Sequence, residues 1–338
     1  MLKALLSELP VSLATDWKCW NMSVCIAGIA NSGERLVLVS DKKAAFGDFS
    51  ADGAVKKDAP LAFGYAIQFA GNDVAHAGAI IRRAKKKLFE IKPDGERLPP
   101  DEVAECVYRE CQVELGRIQE ARVLKKHGYS SQVFRKSGKD ICSDSVFFDI
   151  HSELEKTKLS LDFLIAGFDQ ENEAHIRFTN SVTPPHDYDS LGLWAIGKGQ
   201  HSALSSLSHA IEYLAMSQHA DAEMVLYHLL SAKFMAESAT DVGKATSTLV
   251  LGGKEAPRYL FIDGDDYVRK EWLKSGAPRV PKKLIPEIKA LLATGAQLLN
   301  GDYLQSITKY SPSAKKIFNI IQARKTTPST SQKSAGQQ

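Results

Sequence analysis

The order in which short apolar runs and helix-period stretches follow one another constrains this chain more than any single motif. CIAGIA (25–30) and RLVLVSD (35–41) flank NSGE, a pattern that predicts a β-hairpin with both strands buried. A polar stretch over 42–60 leads to a further strand in FGYAIQFAG (63–71). Asp73 then stands where it can cap a helix whose Val74, Ala77, Ile81, Ala84 and Leu88 share one face. Pro99-Pro100-Asp101 opens a second helix, with Val103, Val107, Cys111, Leu115 and Ile118 at helical spacing. Residues 126–158 are polar and without clear period, which predicts a long irregular excursion. Strand patterns resume in LDFLIAGFD (161–169), HIRFTN (175–180) and GLWAIG (192–197). Two helices over 201–217 and 220–238 follow, then strands in TSTLVLGG (246–253) and RYLFID (258–263). Strands and helices thus come in separate runs, which favours an α+β layered sandwich over an alternating parallel sheet.

At 338 residues and 44% hydrophobic, the chain can bury a sizeable core without disulfides or metals. Forty-three Lys and Arg against forty Asp and Glu leave +3, too near balance to indicate a polyanionic partner. The same composition argues against disorder, collagen-like repeats and a disulfide scaffold. No run approaches the length of a membrane span. The five cysteines (Cys19, Cys25, Cys106, Cys111 and Cys142) are odd in number and form no CxxC, which predicts free thiols and a reducing, cytoplasmic setting. Residues 1–22 are interrupted by Glu8, Pro10 and Asp16 and lack an A-x-A site, so they read as a leader, propeptide or over-extended start. Residues 23–268 form the main domain. Pro278, Pro281 and Pro286 mark a linker in a helical extension over 269–325, where Leu284, Ile285, Ile288, Leu291 and Leu292 form an apolar stripe and a weaker helix lies near 312–323. The tail, 326–338, has the composition of a disordered segment.

No HExxH, Walker A or GxSxG motif occurs, and the nine histidines show no metal-ligand spacing. The informative segment is MSVCIAGIANSGERLVLVSDKKA (22–44), with VKK (55–57) and FAGND (69–73). It resembles the β-subunit branch of the proteasome-like N-terminal nucleophile (Ntn) hydrolases, and its opening is most similar to bacterial proteasome-like proteins. In that family a nucleophile begins the first strand, an Asp ends the second, a Lys lies sixteen residues later and an Ala-Gly fourteen beyond that. Asp41, Lys57 and Gly71 fall in this register, since 57 − 41 = 16 and 71 − 57 = 14. FLIAGFD, AIGKG and the paired helices also resemble the second half of a β-subunit, so the resemblance covers about 23–265. It implies a four-layer αββα sandwich, amide or peptide hydrolysis, no cofactor and no metal.

The resemblance makes Ser23 the nucleophile, ahead of Cys25. A serine hydroxyl is a poor nucleophile until a base takes its proton, and the α-amine of an N-terminal Ser23 is such a base. Lys57 would favour the neutral amine and stabilise charge on the reacting oxygen, Asp41 would orient Lys57, and the Gly71 N–H would serve an oxyanion. Met22 precedes Ser23, so a start there exposes the serine after initiator-Met removal; autoprocessing fits less well, because the family has Gly at that place. The plainer readings are a surface salt bridge for Asp41 and Lys57, Lys56 in place of Lys57, a turn glycine at Gly71 and a small strand residue at Cys25. The chain departs from the family in Gly197-Lys198-Gly199, where a hydroxyl is replaced by a cation. It departs again in ESATDVGKATS (237–247), where Asp241, with Glu237 behind it, is the candidate for the supporting acid.

GKGQHS (197–202) partly imitates a phosphate loop but lacks its third glycine. The charges of RRAKKK (82–87) spread around a helix, so they indicate no specific nucleic-acid partner. Two classes remain: an Ntn hydrolase acting through Ser23, and a catalytically silent proteasome-like scaffold. The resemblance implies a homo-oligomer in either case and allows an ATPase unfoldase partner that no motif identifies.

Overall fold

A computed structural model describes residues 23–275, apart from 47–48, 54, 63, 215, 240–241, 253–259 and 263–265, together with 285, 286, 288 and 289. The leader 1–22, Asp241, most of the 269–325 extension and the tail 326–338 lie outside the described residues.

The first hairpin pairs β1 (Cys25–Ala30) with β2 (Arg35–Asp41) in antiparallel register from Cys25↔Ser40 to Ala30↔Arg35. Its turn, Asn31–Gly33, takes three successive positive φ values, and the Asn31 carboxamide accepts from the Ala222 N–H at 2.7 Å. β1 is buried along its whole length and β2 along all but its first residue, which explains their continuous rather than alternating hydrophobicity. They lie in a five-stranded sheet of order β10-β1-β2-β11-β12, completed by β10 (Leu193–Ile196), β11 (Thr246–Gly252) and β12 (Leu260–Ile262). A second five-stranded sheet has the order β5-β6-β7-β8-β9, built from β5 (Asp58–Ala62), β6 (Tyr65–Gly71), β7 (Leu161–Phe168), β8 (Ala174–Asn180) and β9 (His186–Asp187). Every pairing in both sheets is antiparallel. A small ribbon joins β3 (Ala44–Phe46) to β4 (Phe49–Ala51).

Side chains alternate across each strand, and the two faces have different partners. Cys25, Ala27, Leu36 and Leu38 of the first sheet meet Ala66, Ala70, Leu164 and Ala166 of the second in one apolar layer. Ile26, Val37 and Val39 face the other way, onto α5 (Gln200–Leu214) and α6 (Ala222–Ala236). Ile67, Phe163 and Ile165 pack onto α1 (Val74–Ile91) and α2 (Pro100–Arg122). The result is a mixed α+β structure in which two antiparallel sheets face each other and helices cover their outer surfaces. α6 is buried nearly all round, between β1, β2 and α5, so its sequence carries no polar face.

The irregular excursion expected over 126–158 contains two helices, α3 (Ser131–Ile141) and α4 (Asp144–Lys156). Each buries only one or two residues: Phe134 and Gly138 from α3, Ile150 from α4. So few apolar positions do not stand out as a period. Ser130 caps α3 by accepting from the Val133 N–H at 3.3 Å. β5 falls in the stretch read as polar, because Asp58 and Pro60 interrupt its pattern. Asp73 sits at the N-cap of α1, but its carboxylate accepts from the Ser160 N–H at 2.7 Å instead of capping the helix. α7 (Asp266–Ser275) crosses the expected boundary at 268; its Val268 is buried against the α5/α6 layer, Trp272 lies 5.4 Å from Phe234, and Ile288 joins the same core. Cys25, Cys106, Cys111 and Cys142 are free thiols, and among the described residues no helix is long and apolar enough to cross a membrane.

Candidate active site

Where β1 begins and β2 ends, the two strands exchange more than ladder bonds. The Asp41 N–H donates to the Val24 carbonyl at 3.1 Å, and the Val24 N–H donates to Asp41 Oδ1 at 2.9 Å. Asp41 Oδ2 accepts from the backbone N–H groups of Lys43 at 3.1 Å and Gly243 at 3.2 Å. This carboxylate is therefore held from three segments of the chain, and it is fully buried.

Lys57 reaches it from the other sheet. It stands just before β5, with its carbonyl accepting from the Phe69 N–H at 3.0 Å. Its Nζ donates to both Asp41 carboxylate oxygens at 2.8 Å and to Ser23 Oγ at 2.7 Å. A lysine ammonium has three donors, and all three are used. Ser23, Asp41 and Lys57 are 2%, 0% and 1% exposed, so the surface-salt-bridge reading does not apply. A buried ammonium needs a counter-ion, and Asp41 supplies it. Lys56 is a different case: its side chain is half exposed and lies 3.8 Å from Asp58.

The Gly197-Lys198-Gly199 segment touches the same point. The Gly199 N–H donates to the Ser23 carbonyl at 3.2 Å. Gly197 has φ +90°, and a Cβ there would lie 2.3 Å from the Ser23 carbonyl oxygen and 3.0 Å from the Ala70 Cβ. The glycine is needed for close backbone approach to Ser23, and the phosphate-loop reading of GKGQHS is unnecessary. Gly71 follows Ala70 at the end of β6, with φ +144°; a Cβ there would lie 2.3 Å from the Ser160 carbonyl oxygen. Packing against β7 thus already accounts for its being glycine.

Cys25 lies next inward on β1, fully buried, with its Sγ 3.3 Å from the Phe69 carbonyl oxygen. Burial pushes its thiol well above the usual range despite the opposing effect of Lys57, so it stays protonated. Beside Lys57, Asp58 accepts from Ser40 Oγ at 3.4 Å, and burial raises its carboxyl above the usual range. Glu237 is committed elsewhere. Its carboxylate accepts from Lys233 Nζ at 2.5 Å and from Arg269 at 2.6 and 2.8 Å, which ties α6 to α7. Asp241, the other acid weighed for this role, lies outside the described residues. The reading from sequence missed the Gly243 N–H, because a backbone donor leaves no side-chain signal.

No protein-family model and no curated protein matches the chain. What the site can do rests on its own geometry: a serine hydroxyl hydrogen-bonded to a buried ammonium, a carboxylate fixing that ammonium, and a close-packed glycine segment at the serine carbonyl. Asp41 already accepts from Val24, Lys43, Gly243 and Lys57, so it is not free to ligate a metal.

Proposed function

We propose that this protein is a proteasome-like Ntn hydrolase with the four-layer αββα architecture, cleaving peptide or other amide bonds through Ser23. The observation that carries the reading is the bond from Lys57 Nζ to Ser23 Oγ at 2.7 Å, with Asp41 bound to the same ammonium on both oxygens. It depends on a chain that begins at Ser23, because with Met22 attached the Ser23 nitrogen is a peptide nitrogen and not a base.

In that chain the free α-amine takes the hydroxyl proton as Oγ attacks the scissile carbonyl carbon. Lys57 stabilises the developing charge on Oγ, and the Gly71 N–H is the proposed donor to the oxyanion. The protonated amine then gives its proton to the leaving nitrogen as the carbon–nitrogen bond breaks. Water, activated by the same amine, hydrolyses the Ser23 ester and restores the hydroxyl. The free thiols suit a cytoplasmic setting, and the reading carries with it a homo-oligomeric assembly.

The competing reading, a silent proteasome-like scaffold, draws on the Met22–Ser23 linkage and on Lys198 where a hydroxyl is expected. Intact mass and N-terminal sequencing of protein from its native host separate the two. A chain beginning at Ser23 supports hydrolysis; active material that retains Met1 or Leu2 overturns it.

A further inference from the structure

At the far end of β1 from Ser23, the β7–β8 turn brings together three side chains that the proposed hydrolysis does not use. We propose that Asp169, Glu173 and His175 hold a divalent metal ion of the zinc or manganese class.

The turn is tight and self-bonded: the Glu173 N–H donates to Asp169 Oδ1 at 2.8 Å, and Asn172 takes φ 65°. It leaves one ligand atom from each of the three side chains within 4.8 Å of the other two. His175 Nε2 lies 3.1 Å from Asp169 Oδ2. Two ligands on one zinc at bond lengths of about 2.0–2.2 Å stand roughly 3.3 Å apart in tetrahedral geometry. Little movement is therefore needed to place an ion between them.

The imidazole makes this more than a group of acids. Its Nδ1 faces Asp189 Oδ2 at 2.7 Å, and the other Asp189 oxygen accepts from the Ile176 N–H at 2.7 Å. Arg177 pairs with Asp189 at 2.7 Å. Asp189 is thus fixed by backbone and guanidinium and faces Nδ1, which leaves Nε2, on the side of Asp169, as the ring atom to take the ion. A carboxylate behind a histidine in this way both orients the ring and makes it a stronger ligand.

Two of the three, Glu173 and His175, line a cavity of about 400 Å³ together with Ser32, Glu34 and His219. No lysine or arginine is among its described lining residues, which include the acids Glu34, Glu173 and the Arg177-paired Asp189. Three protein ligands with an open side leave a coordination position for water or a small ligand. The competing account is a protonated His175 bridging two carboxylates. Metal binding replaces the Nε2 proton and releases it to solvent.

Chelator-treated full-length protein titrated with Zn²⁺ and separately with Mn²⁺ decides between them, with bound metal counted by elemental analysis after gel filtration. We expect one ion per chain, at least about tenfold weaker binding in Glu173→Gln, and no stoichiometric binding in His175→Gln. Glu173 is exposed, so its variant tests the site even if His175→Gln folds poorly. Absence of stoichiometric binding of either ion at about 100 μM, or binding unchanged in Glu173→Gln, overturns the proposal.

Discussion

Lys57 places all three of its donors on Ser23 and Asp41, and all three residues are buried, so they stand or fall together. In a chain beginning at Ser23, Ser23→Ala removes the attacking oxygen, and Lys57→Ala removes the cation beside it. Each is expected to lower amide hydrolysis by about a thousandfold or more. Cys25→Ala and Lys56→Ala are expected to leave turnover within about threefold of the parent, since one is a protonated buried thiol and the other a half-exposed neighbour. Steady-state assays on variants of matched stability check this, and total loss in Cys25→Ala would move the nucleophile. Asp41→Asn leaves a buried ammonium without its counter-ion, at an expected cost of about 3 to 5 kcal/mol in a denaturant titration. Gly197→Ala places a methyl group 2.3 Å from the Ser23 carbonyl oxygen, so it should displace Ser23 and abolish activity even where the chain stays folded. At this scale the sequence was informative where spacing carries chemistry: Asp41 and Lys57 meet as their register implies. It was mute on the Val24, Lys43 and Gly243 amides around Asp41, because any residue but proline can supply an N–H.

Elements with a strong period were legible and those without one were not. β1, β2, β6, β7 and β11 each carry an apolar run, β8 carries apolar Ile176 and Phe178 between polar residues, and the expected strands lie within about two residues of the observed ones. α3 and α4 escaped because their few buried residues serve a small satellite cluster with Val123 and Leu124, not a main core face. β5 escaped because it carries an acid and a proline into a half-buried strand. α6 offers a test of what its all-round burial costs. His228 lies in it 4% exposed, and burial, followed by the nearby His209, pushes its imidazole from 6.5 down to about 4. The unfolded chain therefore takes up this proton at a higher pH than the folded one. The folded state keeps its full advantage above about pH 6.5 and loses it progressively as pH falls toward about 4, up to about 3 kcal/mol. Melting curves across that window should show a shallower acid loss in His228→Leu than in the parent. Equal slopes would mean that His228 is protonated without penalty.

Across the whole molecule, the candidate site exists only because the two sheets face each other. Ser23 stands just before β1 and Asp41 ends β2 in the first sheet, while Lys57 stands just before the edge strand β5 of the second, so any slip between the layers separates the ammonium from both partners. Assembly is read at the same scale. Full-length protein at micromolar concentration is expected to scatter light as a homo-oligomer, and a monomer there would reject the assembly implied by the family resemblance. Removing residues 278–338 should alter oligomer size if the extension reaches a neighbour, although Ile288 is already buried against its own α5/α6 layer. The central claim, that Ser23 is an N-terminal nucleophile, is tested most directly by a covalent label. A hydroxyl-directed β-lactone applied to the chain beginning at Ser23 and to the full-length chain, followed by intact mass and peptide mapping, should give one adduct on Ser23 in the first and none in the second. An adduct at another residue, or no adduct in the chain beginning at Ser23, would contradict it.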